Sequence, residues 1–122
     1  MARPNHSAAR TPLTAYLIDP FKRHVHEVRL TAHARGPRGL REIYALLDCQ
    51  SIELLRPFNA ETDALYVDGM GRFRDQPNAF FCRLWPRGPL VGRALWIGTT
   101  QDGATASPRM TLRYVRDHIV WL

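Results

Sequence analysis

The segment Leu90-Val-Gly-Arg-Ala-Leu-Trp-Ile97 constrains the chain more than any other. A near-continuous apolar run of this length predicts a strand placed centrally in a sheet. The sheet and whatever covers it must come from 122 residues, which fit one domain. Arg93 interrupts the run, and a charge there must meet a partner or a ligand.

The flanking sequence supplies short strands and one clear helix. Thr14–Ile18 and His24–Leu30 read as two strands of a β-hairpin. Between them Asp19-Pro20-Phe21-Lys22-Arg23 has turn chemistry, because Asp bonds the backbone two residues on and Pro presets φ. After the breaker cluster Gly36-Pro37-Arg38-Gly39, residues Leu40, Ile43, Tyr44 and Leu47 repeat on one helical face, predicting a helix over about 38–47. Ser51–Arg56, Ala64–Val67 and Ala79–Leu84 read as further strands, with Arg72-Phe73-Arg74 as the return of a second hairpin and a turn at 75–78. Trp85-Pro86-Arg87-Gly88-Pro89 reads as a break before the central run. Thr111 caps a short helix from Leu112 to about Asp117, and Ile119–Leu122 closes as a strand. The expected fold is α+β: a single domain at 13–122, mainly antiparallel sheet, with one firm helix and a short C-terminal one. Residues 1–12 are small, polar and Pro-containing, and read as a flexible basic arm.

Apolar residues at 45% and charged ones at 23% are ordinary for globular chains and exclude collagen-like, coiled-coil and wholly disordered classes. No stretch approaches the ~20 apolar residues that span a bilayer. The N-terminus has no apolar segment of the signal-peptide kind, so a cytoplasmic location without membrane contact is expected.

Net charge is +6, and all of it sits in the first third. Residues 1–41 carry Arg3, Arg10, Lys22, Arg23, Arg29, Arg35, Arg38 and Arg41 against Asp19 and Glu27, while the remainder is balanced. Lys22 is the only lysine. Guanidinium forks suit phosphate and carboxylate, although a GC-rich genome writes arginine for reasons unrelated to binding. Cys49 and Cys82 lie in apolar surroundings and give neither a disulfide framework nor a zinc spacing, so both read as buried free thiols.

Four chemistries can be weighed on these residues. His24 and His26, two apart on a strand, would point the same way, but a third metal ligand has to come from His33, His118 or a carboxylate that no spacing demands. An exposed hairpin face explains the pair equally, and no metal or other cofactor is expected. Hydrolytic and phosphate-loop motifs are absent from the sequence, and Glu61, Asp63 and Asp68 read as solvated loop carboxylates. For nucleic acid, Lys22, Arg23, Arg38 and Arg41 are the candidate contacts, with Tyr16 and Phe21 among the cations, although no helix-turn-helix, zinc-finger or RNP-type pattern accompanies them.

For a small anionic ligand, Arg93 with Thr99 and Thr100 would bond the anion, while Tyr44 or Phe80 would stack a base. The structural alternative is that Arg93 pairs with a buried carboxylate and Gly98-Thr99-Thr100 is a turn. Trp85, Trp96 and Trp121 divide the same way, tryptophan being core more often than a ligand platform.

Leu17-Ile18-Asp19-Pro20-Phe21, Glu42-Ile43-Tyr44, Asp48-Cys49, Asp63-Ala64-Leu65-Tyr66-Val67-Asp68, Phe80-Phe81 and Leu90–Gly98 follow one another in an order that resembles a family of small uncharacterised domains of bacteriophages, plasmids and integrative elements. Its pattern runs I-D-P, D-I-Y, D-A-L-Y-V-D-D-E-G, F-F, A-G-R-A-L-V-L-G, and the likeness covers about residues 15–122. Asp68-Gly69-Met70-Gly71 stands where the pattern has D-D-E-G, so a role needing paired carboxylates there does not carry over. The resemblance brings no catalytic residues. It implies a mobile-element protein in a bacterial host, and small phage proteins of this kind act by binding.

The expectation is therefore a non-enzymatic counter-defence module that sequesters a small anionic, nucleotide-like ligand, as a homo-oligomer sharing its pocket. The alternatives are a protein inhibitor of a host defence complex and a nucleic-acid-binding protein using the basic N-terminal third.

Overall fold

The computed structural model describes residues 13–30, 36–71, 78–102 and 104–122. The expected arm at 1–12, the Arg72-Phe73-Arg74 strand and most of the 75–78 turn lie outside the described residues.

The opening hairpin forms as its turn chemistry dictates. β1 (Leu13–Asp19) pairs with β2 (His24–Leu30) without a slip from Leu13↔Leu30 to Asp19↔His24. The Asp19 carboxylate accepts the Phe21 N–H at 2.9 Å and the Lys22 N–H at 3.4 Å, and Arg23 closes the turn at φ 52°. α1 (Gly36–Leu47) follows, then β3 (Ile52–Leu55), β4 (Ala64–Asp68), β5 (Ala79–Cys82), β6 (Trp85–Val91), β7 (Ala94–Thr99) and β8 (Thr105–Ala106). α2 (Leu112–Asp117) and β9 (Ile119–Trp121) complete the order. Thr111 caps α2, its side chain accepting from the Tyr114 N–H.

The strands build two antiparallel sheets, one in the order β2-β1-β7-β4-β3 with β8 paired to β7, the other β6-β5-β9. The fold is α+β, mainly antiparallel sheet with one firm helix and a short C-terminal one. Side-chain alternation along β1 and β7 separates two cores. Leu17, Leu95 and Ile97 face α1 and pack with Ile43 and Leu47. Tyr16, Ile18, Ala94 and Trp96 face the smaller sheet and pack with Phe80, Cys82, Leu84 and Val115. β7, covered on both faces, is buried along its whole length. No helix among the described residues is long and apolar enough to cross a membrane.

The structure redraws several expectations. The Leu90–Ile97 run is two strands: β6 ends at Val91, Gly92 turns at φ 83°, and only the part from Ala94 is central. The run holds together as apolar sequence because both halves pack on the same core. Trp85–Pro89 is no break but most of β6, an edge strand where prolines lose no ladder bond that matters. On α1 the stripe shifts toward Leu46, which packs on the core, while Leu40 stays 39% exposed.

Asp63 and Asp68 are buried rather than solvated. Asp63 takes the Trp96 indole N–H at 2.7 Å and the N–H groups of Arg109 and Met110 at 2.8 and 3.0 Å. Three donors compensate the desolvation of one carboxylate, and they tie the segment before α2 to the central strand.

Candidate functional site

A cleft of ≈ 550 Å³ opens where the two sheets part, between β3–β4 and the edge strand β6. One wall follows from strand alternation on β3. Leu55 faces the second sheet and is buried, so Glu53, two residues earlier, faces the same way and lines the cleft. Val67 and Asp68 continue that wall from β4. Asp68 is anchored there, its carboxylate accepting the Met70 N–H at 2.9 Å.

The opposite wall is β6. Trp85 and Arg87 are two residues apart and both line the cleft, with the Arg87 guanidinium carbon 5.4 Å from the Trp85 ring centroid. Stacking on the indole holds that guanidinium in place before any ligand arrives. Gly88, at φ 112°, has nothing within 4 Å of a would-be Cβ, so this stretch of β6 keeps room around it. The cleft thus sets a tryptophan side chain and a cation on one side against two carboxylates on the other. A planar ligand can stack on Trp85, an anionic oxygen can meet Arg87, and N–H or O–H donors can meet Glu53.

The ligand residues expected from the sequence do not assemble. Arg93 precedes β7 and Thr99 ends it; six residues of strand at about 3.3 Å each place them about 20 Å apart. Arg93 bonds Asp19 at 3.5 Å, so it has a carboxylate partner rather than an empty pocket. Thr99 donates to the Thr62 carbonyl at 2.5 Å and accepts from Arg56 at 2.9 Å. Thr100 bonds Asp102 through its hydroxyl and Ala104 through its N–H. A Cβ at Gly98 would collide with the Ser107 carbonyl, so the Gly98-Thr99-Thr100 stretch is packed against the chain and offers no phosphate cradle. Phe80 is fully buried, edge-on to Trp121 at 6.2 Å, and cannot stack a base. Tyr44, half-buried on α1, borders a wide, open depression with Asp48, Cys49 and Gln50.

Of the nucleic-acid candidates, Lys22 and Arg23 stand exposed on the β1–β2 turn and Arg41 is exposed on α1; the Arg38 side chain lies outside the described residues. His24 and His26 stack with ring centroids 4.7 Å apart, while His118 caps α2 and bonds the Tyr114 carbonyl. Among the described residues no group of three or more His, Cys, Asp or Glu could hold a metal. Cys82 is buried as expected and burial pushes its thiol pKa up, but Cys49 is only half-buried.

The sequence reading missed Glu53, Trp85 and Arg87 as a set. Glu53 left a signal, since it shares a strand face with Leu55. Trp85 and Arg87 had the i, i+2 spacing, hidden because two prolines made the segment read as a break. No protein-family model, curated protein or solved structure matches the chain.

Proposed function

We propose that the protein is a stoichiometric binder that sequesters a small anionic, nucleotide-like ligand in the cleft between β3–β4 and β6. One observation carries the reading: Trp85 and its stacked Arg87 face Glu53 across a volume within the ~300–1,000 Å³ usual for small-molecule sites. In this reading the base lies on the Trp85 ring, Arg87 takes a phosphate oxygen, and Glu53 accepts from donors on the base or sugar. The carboxylates on the far wall favour a ligand with one anionic end over a polyphosphate. The counter-defence role in a phage-type element, inside a bacterial host cell, rests on the sequence resemblance. A second copy that closes the open side of the cleft belongs to the same proposal.

Calorimetric titration with a panel of linear and cyclic mononucleotides, together with analysis of small molecules released on denaturing the purified protein, tests this. Trp85→Ala and Arg87→Ala should each weaken binding at least about tenfold, the effect of losing a stacked base or a charge-assisted bond. Wild-type affinity in Arg87→Ala would remove the site from this cleft.

A further inference from the structure

A second surface lies at the tip of the β1–β2 hairpin, beside the end of the cleft that Asp68 and Val91 line. Arg93 comes from the other side of the chain, but the register that pairs Ile18 with Ala94 brings it beside Asp19. There its guanidinium carbon sits 4.7 Å from the Phe21 ring centroid while its Nε meets the Asp19 carboxylate at 3.5 Å. Asp19 organises both partners, holding the Phe21 and Lys22 N–H groups with one oxygen and Arg93 with the other. Phe21 is 46% exposed, and the Arg93 side chain is 29% exposed despite its ion pair. Lys22 and Arg23 flank the ring on the same turn, with Arg23 also donating to the Leu122 carbonyl at 3.2 Å. Arg116, from α2, reaches the next residues of β2 and grips the Val25 carbonyl through two N–H groups at 2.9 and 2.7 Å. Cations from two separate stretches of sequence, Lys22 and Arg23 on the turn and Arg93 ahead of β7, thus meet at one exposed aromatic ring, and Asp19 among them is 4% exposed.

We propose that this tip binds single-stranded nucleic acid, one base stacking on Phe21 and the adjoining phosphates meeting Lys22, Arg23 and Arg93. A hairpin turn projects and does not enclose, which suits a polymer lying across it. An exposed aromatic ring among cations is the pattern of sequence-tolerant single-strand binding: the ring takes a base face and the cations follow the backbone. A duplex keeps its bases stacked inside and has nothing to place on Phe21. Arg93, held over the ring, adds a planar cation on which a neighbouring base can also stack. The contacts proposed here, Phe21, Lys22, Arg23 and Arg93, are not those proposed for the cleft ligand, Trp85, Arg87 and Glu53, so the two sites can be tested separately.

The test is fluorescence anisotropy of the full chain with a labelled single-stranded DNA of about 12 nucleotides, a duplex of the same sequence and heparin, at about 50 and 200 mM salt. The single strand should bind more tightly than the duplex. Phe21→Ala and Phe21→Leu should each lose about tenfold, because leucine keeps apolar bulk but not the ring. The double variant Lys22→Ala/Arg23→Ala should reduce the salt slope by about 1.4, the single-strand increment for two phosphates. These turn residues are exposed, so the test survives even if Arg93→Ala disturbs the fold. Arg87→Ala, in the cleft, should bind the strand as wild type does. Equal binding of duplex, heparin and single strand with no effect at Phe21 would overturn the proposal in favour of unspecific polyanion contact. An Arg41→Ala loss as large as that of the turn variant would overturn the placement.

Discussion

At the Thr99 end of β7, polar groups close on one another. Thr99 is held between Arg56 and the Thr62 carbonyl, and Asp63 gathers the Trp96 indole and two backbone N–H groups out of water. At the Arg93 end the charges also find partners, but they do so in reach of solvent, around a phenyl ring that stays 46% exposed with Arg93 over it. The charged groups at both ends have partners, although the buried Thr62 hydroxyl beside Thr99 has none; the ends differ in what remains to offer an outside molecule. Polar residues flanking a buried strand are therefore poor guides to a binding site until their internal partners are known.

Substitutions at the two ends should separate sharply in cost. Asp63→Ala strands the buried Trp96 indole N–H and two part-buried backbone N–H groups, and should lower stability by about 3 kcal/mol or more, read as the loss in urea unfolding free energy. Arg93→Ala removes one partner of a part-buried ion pair and a ring contact, but Asp19 keeps two backbone N–H donors, so it should cost about 1–2 kcal/mol in the same measurement. Similar losses for the two would erase the distinction between a structural end and an interactive one.

The smallest effect concerns His26, near the Arg93 end. Burial, and then the neighbouring charge of His24, lowers its pKa below the ordinary value of about 6.5, against an opposing pull from Asp19. The folded chain therefore takes up this proton less readily than the unfolded one. The corresponding stability is present above pH ~6.5 and is lost as pH falls through the lowered folded value. His26→Gln should flatten that slope in thermal melts taken on either side of pH ~6.5, leaving the melting point at higher pH nearly unchanged.

Much of the fold was legible in local chemistry. Asp19-Pro20 announced its hairpin, Thr111 its helix, and the alternation in His24–Leu30 a strand with the observed ends. What escaped was decided by neighbours distant in sequence. The break at Gly92 separates two sheets that share a core, so hydrophobicity runs through it unchanged. Pro86 and Pro89 argue against a strand only when both edges must pair, and among the described strands β6 is outermost in its sheet. Asp63 looked solvated because its three donors lie 33 to 47 positions away. The site was less legible than the fold for the same reason. Arg93 was rightly singled out as a charge needing a partner, but the register of β1 against β7, invisible in the sequence, decided that the partner is Asp19.

The clasp of Arg116 on the Val25 carbonyl has a consequence for how copies of this chain can meet. A sheet margin with open carbonyls and N–H groups is a template on which another chain can crystallise its own strand, the first step toward fibres. Here the β2 margin is latched by a guanidinium from α2, and the β6 margin carries two prolines that have no N–H to give. The β3 margin is four residues long with a carboxylate in it. Strand-to-strand growth is thus guarded against at three of the four described strands that end the two sheet orders, β9 being the fourth, and a second copy that covers the cleft between β3 and β6 would have to be recognised by its side chains.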